Sequence, residues 1–270
     1  MLKTLLKHEI KSSWLEITIV NGSVLVLSIL VALFIAYLPS STFTVVTLSS
    51  LFLLFFLQAV LVILNVIRSL NKKMFSNEGY LTFSLPVTTK QLLISKILVN
   101  LLWVIFTTVI VLISIIMIIV ATFEGSPFAF IIDIKEFFGK SFVPLILLAI
   151  TYIISYLLFL LIIIFVLALT NTTKIRKKKV LLGISLFYLM TIIISIMNNL
   201  IHVIPYAVFL NNGVISVAKI DFNDFYMLIP SLTMRETVIM NFNALLIDII
   251  CIIGLFFTSS SLIANRLELE

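Results

Sequence analysis

The stretch FSNEGYLTFSLPVTTKQLLISK, residues 75–96, interrupts a strongly apolar half of the chain and decides where its helices end and restart. Pro86 interrupts a helix, because its ring removes an N–H donor and clashes with the preceding turn. Thr88 and Gln91 have the spacing of a capping box, in which each side chain bonds the backbone N–H of the other at a helix start. The stretch therefore predicts a loop followed by a new helix over Thr89–Thr122.

The composition around this stretch is that of a membrane protein. Of the 270 residues, 62% are hydrophobic and 11% are charged, whereas a soluble domain is about half apolar and about a quarter charged. A helix needs about 20 apolar residues to cross the hydrocarbon core. Six stretches meet this length, at about 17–38, 43–67, 97–122, 143–169, 180–204 and 242–264. The sequence predicts an all-α polytopic membrane protein with one transmembrane domain over residues 1–270.

Lysine and arginine predict the orientation of these six spans. Alternation places fourteen basic residues on the side of the termini: Lys3, Lys7, Lys11, Arg68, Lys72, Lys73, Lys90, Lys96, Lys174, Arg176, Lys177, Lys178, Lys179 and Arg266. Four fall on the opposite side: Lys135, Lys140, Lys219 and Arg235. Such a bias predicts cytoplasmic termini. It also explains the net charge of +6 by topology, without a nucleic-acid partner, and predicts that the basic run at 174–179 binds anionic lipid headgroups.

The first residues have the pattern of an amphipathic helix. Leu2, Leu6, Ile10 and Trp14 recur at helical spacing, and lysines occupy another face. This pattern predicts a helix that lies in the membrane interface before the first span. The alternative interpretation is a cytoplasmic extension of the first span.

The sequence contains no recognisable nucleotide-binding or metal-binding motif. FFGKS at 137–141 ends like a phosphate-binding loop, but the position five residues before Gly139, which requires glycine in that motif, is occupied by Ile134. His8 and His202 are far apart in the predicted topology, and no spacing of His, Cys and acidic residues suits a metal ion. The sequence therefore predicts a protein that is not an enzyme on its own and holds no cofactor.

The loop before Thr89 carries apolar side chains outside the predicted spans. Phe75, Tyr80, Leu81, Phe83 and Leu85 all fall within about a dozen residues. An apolar surface exposed to the cytosol usually marks a partner site. The alternative is that these side chains only insert into the membrane interface, and the residues alone leave both interpretations open.

The passage NEGYLTFSLPVTTKQLLISK resembles the signature of bacterial ABC-2 type transporter permeases. In that family an acidic residue, a Gly-Tyr or similar pair, Leu-Thr and Leu-Pro-Val/Ser-Thr precede a helix that contains Ser/Gly-Lys. The similarity continues through ILVNLLWVIFTTVIVL at 97–112. Outside residues 72–105 the resemblance is mostly architectural: six spans with an N-terminal interfacial helix.

The resemblance implies a function and a set of partners. The loop between spans two and three would form a coupling helix that docks on a separate ATPase subunit. The residues that match the family's coupling segment are Glu78, Gly79, Tyr80, Leu81, Phe83, Leu85 and Pro86. Two ATPase copies, which hold ATP and Mg, would join this chain and a second permease copy or paralogue in a bacterial plasma membrane. The cargo would be an amphipathic peptide or a lipophilic compound; the alternative is a membrane-embedded sensor or scaffold without transport activity.

Polar residues within the predicted spans are candidates for a translocation pathway, because polar groups in hydrocarbon tend to face protein or water. The candidates are Gln58, Asn198, Asn199, His202 and Asp248. The alternative is interhelical hydrogen bonding, which we favour for Asn65 and Asn100. Asp248 also lies near the predicted outer end of its helix, where an acidic side chain can snorkel towards water.

The external segment 205–241 is too apolar for a solvated linker. We expect it to pack on, or dip into, the outer face of the bilayer, where irregular backbone requires cover from other protein.

Overall fold

A computed structural model describes the backbone of residues 2–37, 41–74, 88–122, 127–172, 179–200, 203–211, 214–219 and 236–266, and the side chains of most of these residues. The chain is mostly helical. The helices are α1 (Leu2–Tyr37), α2 (Ser41–Met74), α3 (Thr89–Thr122), α4 (Pro127–Thr172), α5 (Lys179–Leu200) and α6 (Phe242–Arg266). The predicted bounds of α3 are confirmed at both ends.

Five of these helices contain a stretch that is long and apolar enough to cross a membrane. The stretches are Lys3–Ile35, Thr89–Ala121, Val143–Asn171, Val180–Asn198 and Phe242–Ala264. Helix α2 offers a shorter apolar stretch, Phe55–Arg68, among its described residues. The chain therefore has the helices of a membrane-embedded protein, and the predicted sixth span at 43–67 stays a prediction.

Helix α1 corrects the prediction of a separate interfacial helix. It runs without a break through 36 residues, about 54 Å at 1.5 Å per residue. No proline stands within it, and its one glycine, Gly22, is tolerated in a helix interior at a cost of about 1 kcal/mol. The alternative interpretation, in which the first residues extend the first long helix, describes this geometry.

Helix α4 corrects a second boundary. Residues 123–142 were expected to form an external loop, yet the helix begins at Pro127 and continues for 46 residues. Proline is favoured in the first turn of a helix, where its missing N–H would have no partner. Pro144 lies inside the same helix. Proline lacks a backbone N–H, and it is tolerated within membrane helices because other groups satisfy the carbonyl that loses its hydrogen bond.

The prediction of an all-α protein is wrong for part of the segment 205–241. Three strands, β1 (Tyr206–Asn211), β2 (Val214–Lys219) and β3 (Glu236–Asn241), form an antiparallel sheet in the order β2-β1-β3. The reason is local composition: Val, Ile, Tyr and Phe favour strands. Asn212 and Gly213 also stand between β1 and β2 in the sequence, and Asn-Gly is a strong hairpin signal.

The chain divides into two compact units, Met1–Ile134 and Lys135–Glu268, and each is described by itself. In the first unit α1 packs along α3, and α2 packs on α1. Many of the buried residues of α3 recur every seven positions, as in a coiled-coil seam. One series is Leu93, Asn100, Thr107 and Ser114, and the other is Lys96, Trp103 and Ile110. The single-domain prediction stays a prediction.

In the second unit α5 packs against α4 and α6. The rings of Phe159 and Phe187 meet edge to face, with centroids 5.7 Å apart, and α6 also contacts β1 and β3. Asn241 caps α6, because its Oδ1 accepts from the backbone N–H of Asn243 at 2.9 Å. The Oδ1 of Asn243 in turn accepts from the N–H of Val203 at 2.9 Å. These bonds fix the start of α6 relative to the chain that leads into the sheet.

Candidate functional site

The predicted coupling residues, Glu78, Gly79, Tyr80, Leu81, Phe83, Leu85 and Pro86, lie outside the described residues. The described chain resumes at Thr88, where the predicted capping box is confirmed. The backbone N–H of Gln91 donates to Oγ1 of Thr88, and the N–H of Thr88 donates to Oε1 of Gln91, both at 3.3 Å. The carbonyl of Thr88 accepts the first bond of α3, from the N–H of Leu92. Helix α3 therefore begins at a capped end.

Lys96, two turns into α3, forms a buried ion pair with α1. Its Nζ lies 3.1 Å from Oε1 of Glu9, and the two side chains are 1% and 14% exposed. The desolvation of a lysine is costly unless an opposite charge and hydrogen bonds compensate it. The pair therefore ties the beginning of α3 to α1.

A second polar contact continues this attachment, about one turn further along α1 and about two turns further along α3. Nε1 of Trp103 donates to Oγ of Ser13 at 2.8 Å. The Trp103 ring also packs with Ile17 and Val99 in a buried apolar cluster. The residue numbers increase along both helices from the Glu9–Lys96 contact to the Ser13–Trp103 contact, so α1 and α3 run in the same direction. They form a parallel helix pair that is stabilised by an ion pair, a hydrogen bond and apolar contacts.

The contact between α1 and α2 is polar as well. Nε2 of Gln58 donates to Oδ1 of Asn21 at 2.5 Å, and both side chains are buried. Nδ2 of Asn21 and Oε1 of Gln58 are left without hydrogen-bond partners. Both residues line a cavity of about 60 Å³. This volume exceeds the volume of about 15 Å³ that one buried water requires. Near its mouth Arg68 and Glu16 form an exposed ion pair at 3.6 Å.

The second unit contains the other candidate site. Nδ2 of Asn198, near the end of α5, donates to Oδ1 of Asp248, near the start of α6, at 3.3 Å. Both side chains line a cleft of about 310 Å³. Of the eight residues that line this cleft, five are polar: Ser155, Thr191, Ser195, Asn198 and Asp248. A polar cleft between apolar helices is the kind of environment that membrane proteins reserve for ions or substrates.

The structure thus brings together some of the predicted pathway residues. Asn198 and Asp248 share the cleft, whereas Gln58 belongs to the first unit and lines its cavity. His202 lies outside the described residues, as do the side chains of Asn199 and Asn65. Asn100 donates to the carbonyl of Lys96 in its own helix, so this bond is within one helix and not between helices as we had expected.

The sequence does not single out Glu9, Ser13 or Asn21. Lys96 enters the sequence analysis only in the count of basic residues and as the lysine of the Ser-Lys pair in the family resemblance. A usable pattern was present: Lys96 and Trp103 are seven residues apart, as are Glu9 and Glu16, and residues at this spacing lie on one helix face. What the pattern does not give is the partner of each face, which depends on helices distant in sequence.

No family model, curated protein or solved structure matches this chain in the comparisons with known proteins. Within the described part of the chain, no three His, Cys, Asp or Glu side chains are grouped as a metal site.

Proposed function

We propose that this chain is the membrane subunit of an ATP-driven ABC exporter. In this proposal two permeases, identical or paralogous, lie in the bacterial plasma membrane with cytoplasmic termini. Each pairs with a separate ATPase subunit that binds ATP and Mg. The proposal starts from the resemblance of residues 72–105 to ABC-2 type permeases, and the five apolar helices are compatible with it.

One structural observation supports it most: the buried Lys96–Glu9 ion pair at 3.1 Å. Helix α3 has 34 residues, about 51 Å in length, whereas the hydrocarbon core is about 30 Å thick. If α3 crosses the core without tilt, about two fifths of it, roughly 21 Å, therefore extends beyond the core. If the extra length lies at the end that follows the loop, the ion pair joins α1 to α3 on the ATPase side of the membrane. A displacement of the loop would then move two helices together.

The loop residues have distinct roles in this mechanism. The Glu78 carboxylate anchors the orientation of the ATPase through a charge-assisted hydrogen bond. The rings of Tyr80 and Phe83 supply buried contact area, as aromatic anchors do in protein interfaces. Lys72 and Lys73 are assigned no role in docking, because a charge pair at a protein surface is typically worth less than about 1 kcal/mol.

The test is co-expression with a candidate ATPase encoded beside this chain. We expect Glu78→Ala to insert normally yet to lower permease-stimulated ATP hydrolysis and transport, because the anchor is lost. Tyr80→Ala and Phe83→Ala should weaken ATPase association by about 2 kcal/mol, the usual minimum for an interface hot spot. The measurements are co-purification and ATP turnover in one membrane preparation.

Lys178→Ala is the matched control, because it changes the other predicted cytoplasmic loop, and it should leave both measurements unchanged. If all three loop variants behave like the unmodified chain, the loop is not the coupling element. If the unmodified chain never co-purifies with an ATPase, the exporter proposal itself is wrong and a sensor or scaffold takes its place.

A further inference from the structure

The cleft of the second unit is built from hydrogen-bond acceptors. Oδ1 of Asn198 is buried and has no hydrogen-bond partner, while its Nδ2 is directed at Asp248. The opposite orientation of this amide would place two acceptors against each other, so Asp248 fixes Oδ1 as the free atom. The hydroxyl of Thr191 donates to the carbonyl of Tyr188 at 2.8 Å, which leaves its lone pairs for another donor.

Asp248 supplies the charge. Its polar contact among the described side chains is the neutral amide of Asn198, and the basic residues with described ion pairs, Arg68 and Lys96, both belong to the first unit. A carboxylate within an apolar helix is costly and is normally paired or in contact with water. The cleft therefore has the charge and the acceptors to bind a cation that carries several N–H donors.

The size of the cleft favours an organic cation over a bare metal ion. Its volume of about 310 Å³ is many times the volume of about 15 Å³ that a single buried water requires. Metal ions such as Ca²⁺ require a close shell of six to eight oxygens. Ser155 and Ser195 are exposed, so the cleft opens at the surface of its unit, and Leu158, Ile162 and Ile194 provide apolar walls.

We infer that this cleft binds the ammonium or guanidinium group of an amphipathic organic cation. Asp248 is the counter-ion, the free oxygens of Asn198 and Thr191 accept the N–H donors, and the apolar walls hold the carbon chain. The interpretation of the cleft as a substrate site rests on the proposed function. It restricts the cargo of the exporter to positively charged compounds. As a binding site it can be tested without any ATPase.

The test uses the full chain in nanodiscs of phosphatidylcholine, which carries no net charge. The probes are a dansyl-labelled alkylammonium and the same molecule with its amine acetylated, followed by fluorescence anisotropy. We expect saturable binding of the charged probe, and Asp248→Asn should weaken it at least tenfold. Asp248→Glu should retain most of the affinity, because it keeps the charge. The acetylated probe should bind weakly and equally to all variants.

Glu16→Gln is the matched control, because it removes a carboxylate from the cavity of the first unit, and it should leave the affinity unchanged. Equal affinity of the charged probe for Asp248→Asn and the unmodified chain would overturn the inference. So would selective displacement of the probe by Na⁺ relative to K⁺ at constant ionic strength, which would indicate a metal site. If no ATPase ever co-purifies but Asp248-dependent binding is observed, the exporter proposal fails and the binding site stands.

Discussion

At the scale of single residues, two ion pairs in the first unit differ in their surroundings. The Lys96–Glu9 pair is almost completely buried at 3.1 Å, whereas the side chains of Arg68 and Glu16 are 64% and 60% exposed and lie 3.6 Å apart. Loss of one partner from a buried pair leaves an uncompensated charge, while an exposed pair contributes little. The two pairs should therefore respond very differently to the same kind of substitution.

We expect Lys96→Met to lower the free energy of unfolding by about 3–5 kcal/mol, because the Glu9 carboxylate loses the buried ammonium group beside it. The double variant Glu9→Gln, Lys96→Met should recover most of this loss. The measurement is thermal unfolding in detergent, followed by the fluorescence of Trp14 and Trp103.

Arg68→Met is the control and should cost less than about 1 kcal/mol. Equal losses for Lys96→Met and Arg68→Met would mean that the burial of Lys96 does not contribute to the stability of the unit.

At the scale of elements, α3 is defined by local sequence at its start. Thr88 and Gln91 form a reciprocal capping box, which satisfies two N–H groups that no helix can satisfy internally. In the proposed mechanism this cap matters because the predicted coupling loop directly precedes it. A frayed helix start would absorb a movement of the loop before it reached the Lys96–Glu9 pair.

We expect Thr88→Ala to cost about 1 kcal/mol and to speed hydrogen exchange of the amides at 90–93, because the cap no longer holds the first turn. Thr88→Ser keeps the hydroxyl and should exchange like the unmodified chain. The measurement is hydrogen-deuterium exchange with mass spectrometry.

Thr108→Ala is the matched control within α3. Its hydroxyl donates to the carbonyl of Val104 in the same helix, so exchange at 90–93 should not change. Unchanged exchange in Thr88→Ala as well would show that other contacts hold the helix start.

At the scale of the whole molecule, the distribution of basic residues predicts cytoplasmic termini and an external 205–241 segment. The structure adds the sheet to this segment, and Lys219 is exposed at the end of β2. A folded, water-accessible sheet suits this region better than a segment within hydrocarbon, because the edge strand β2 has N–H and C=O groups that require partners.

In a chain with Cys251→Ser, a cysteine at Lys219 should react with an impermeant maleimide on whole cells, because the predicted topology places it outside. A cysteine at Lys177, in the basic run, should react only after permeabilisation. The opposite pattern of labelling would reverse the orientation.

What the sequence determined by itself is local or compositional. Apolar runs of span length identify a membrane protein. Thr88 and Gln91 define the start of α3, because a helix cap depends on residues within one turn. The sequence also contains a signal for the antiparallel pair β1 and β2, because Asn212-Gly213 stands between two apolar strand-forming runs.

Only the tertiary structure decided which polar residues are paired. Lys96 is buried because Glu9, 87 residues away in the sequence, lies beside it, and Asp248 meets Asn198 across 50 residues. The unbroken α1 is likewise stabilised by its packing on α3, since most helical stability in proteins comes from such packing. A periodic pattern shows which face of a helix is buried, but the free energy of each buried polar group depends on the partner that folding brings to it.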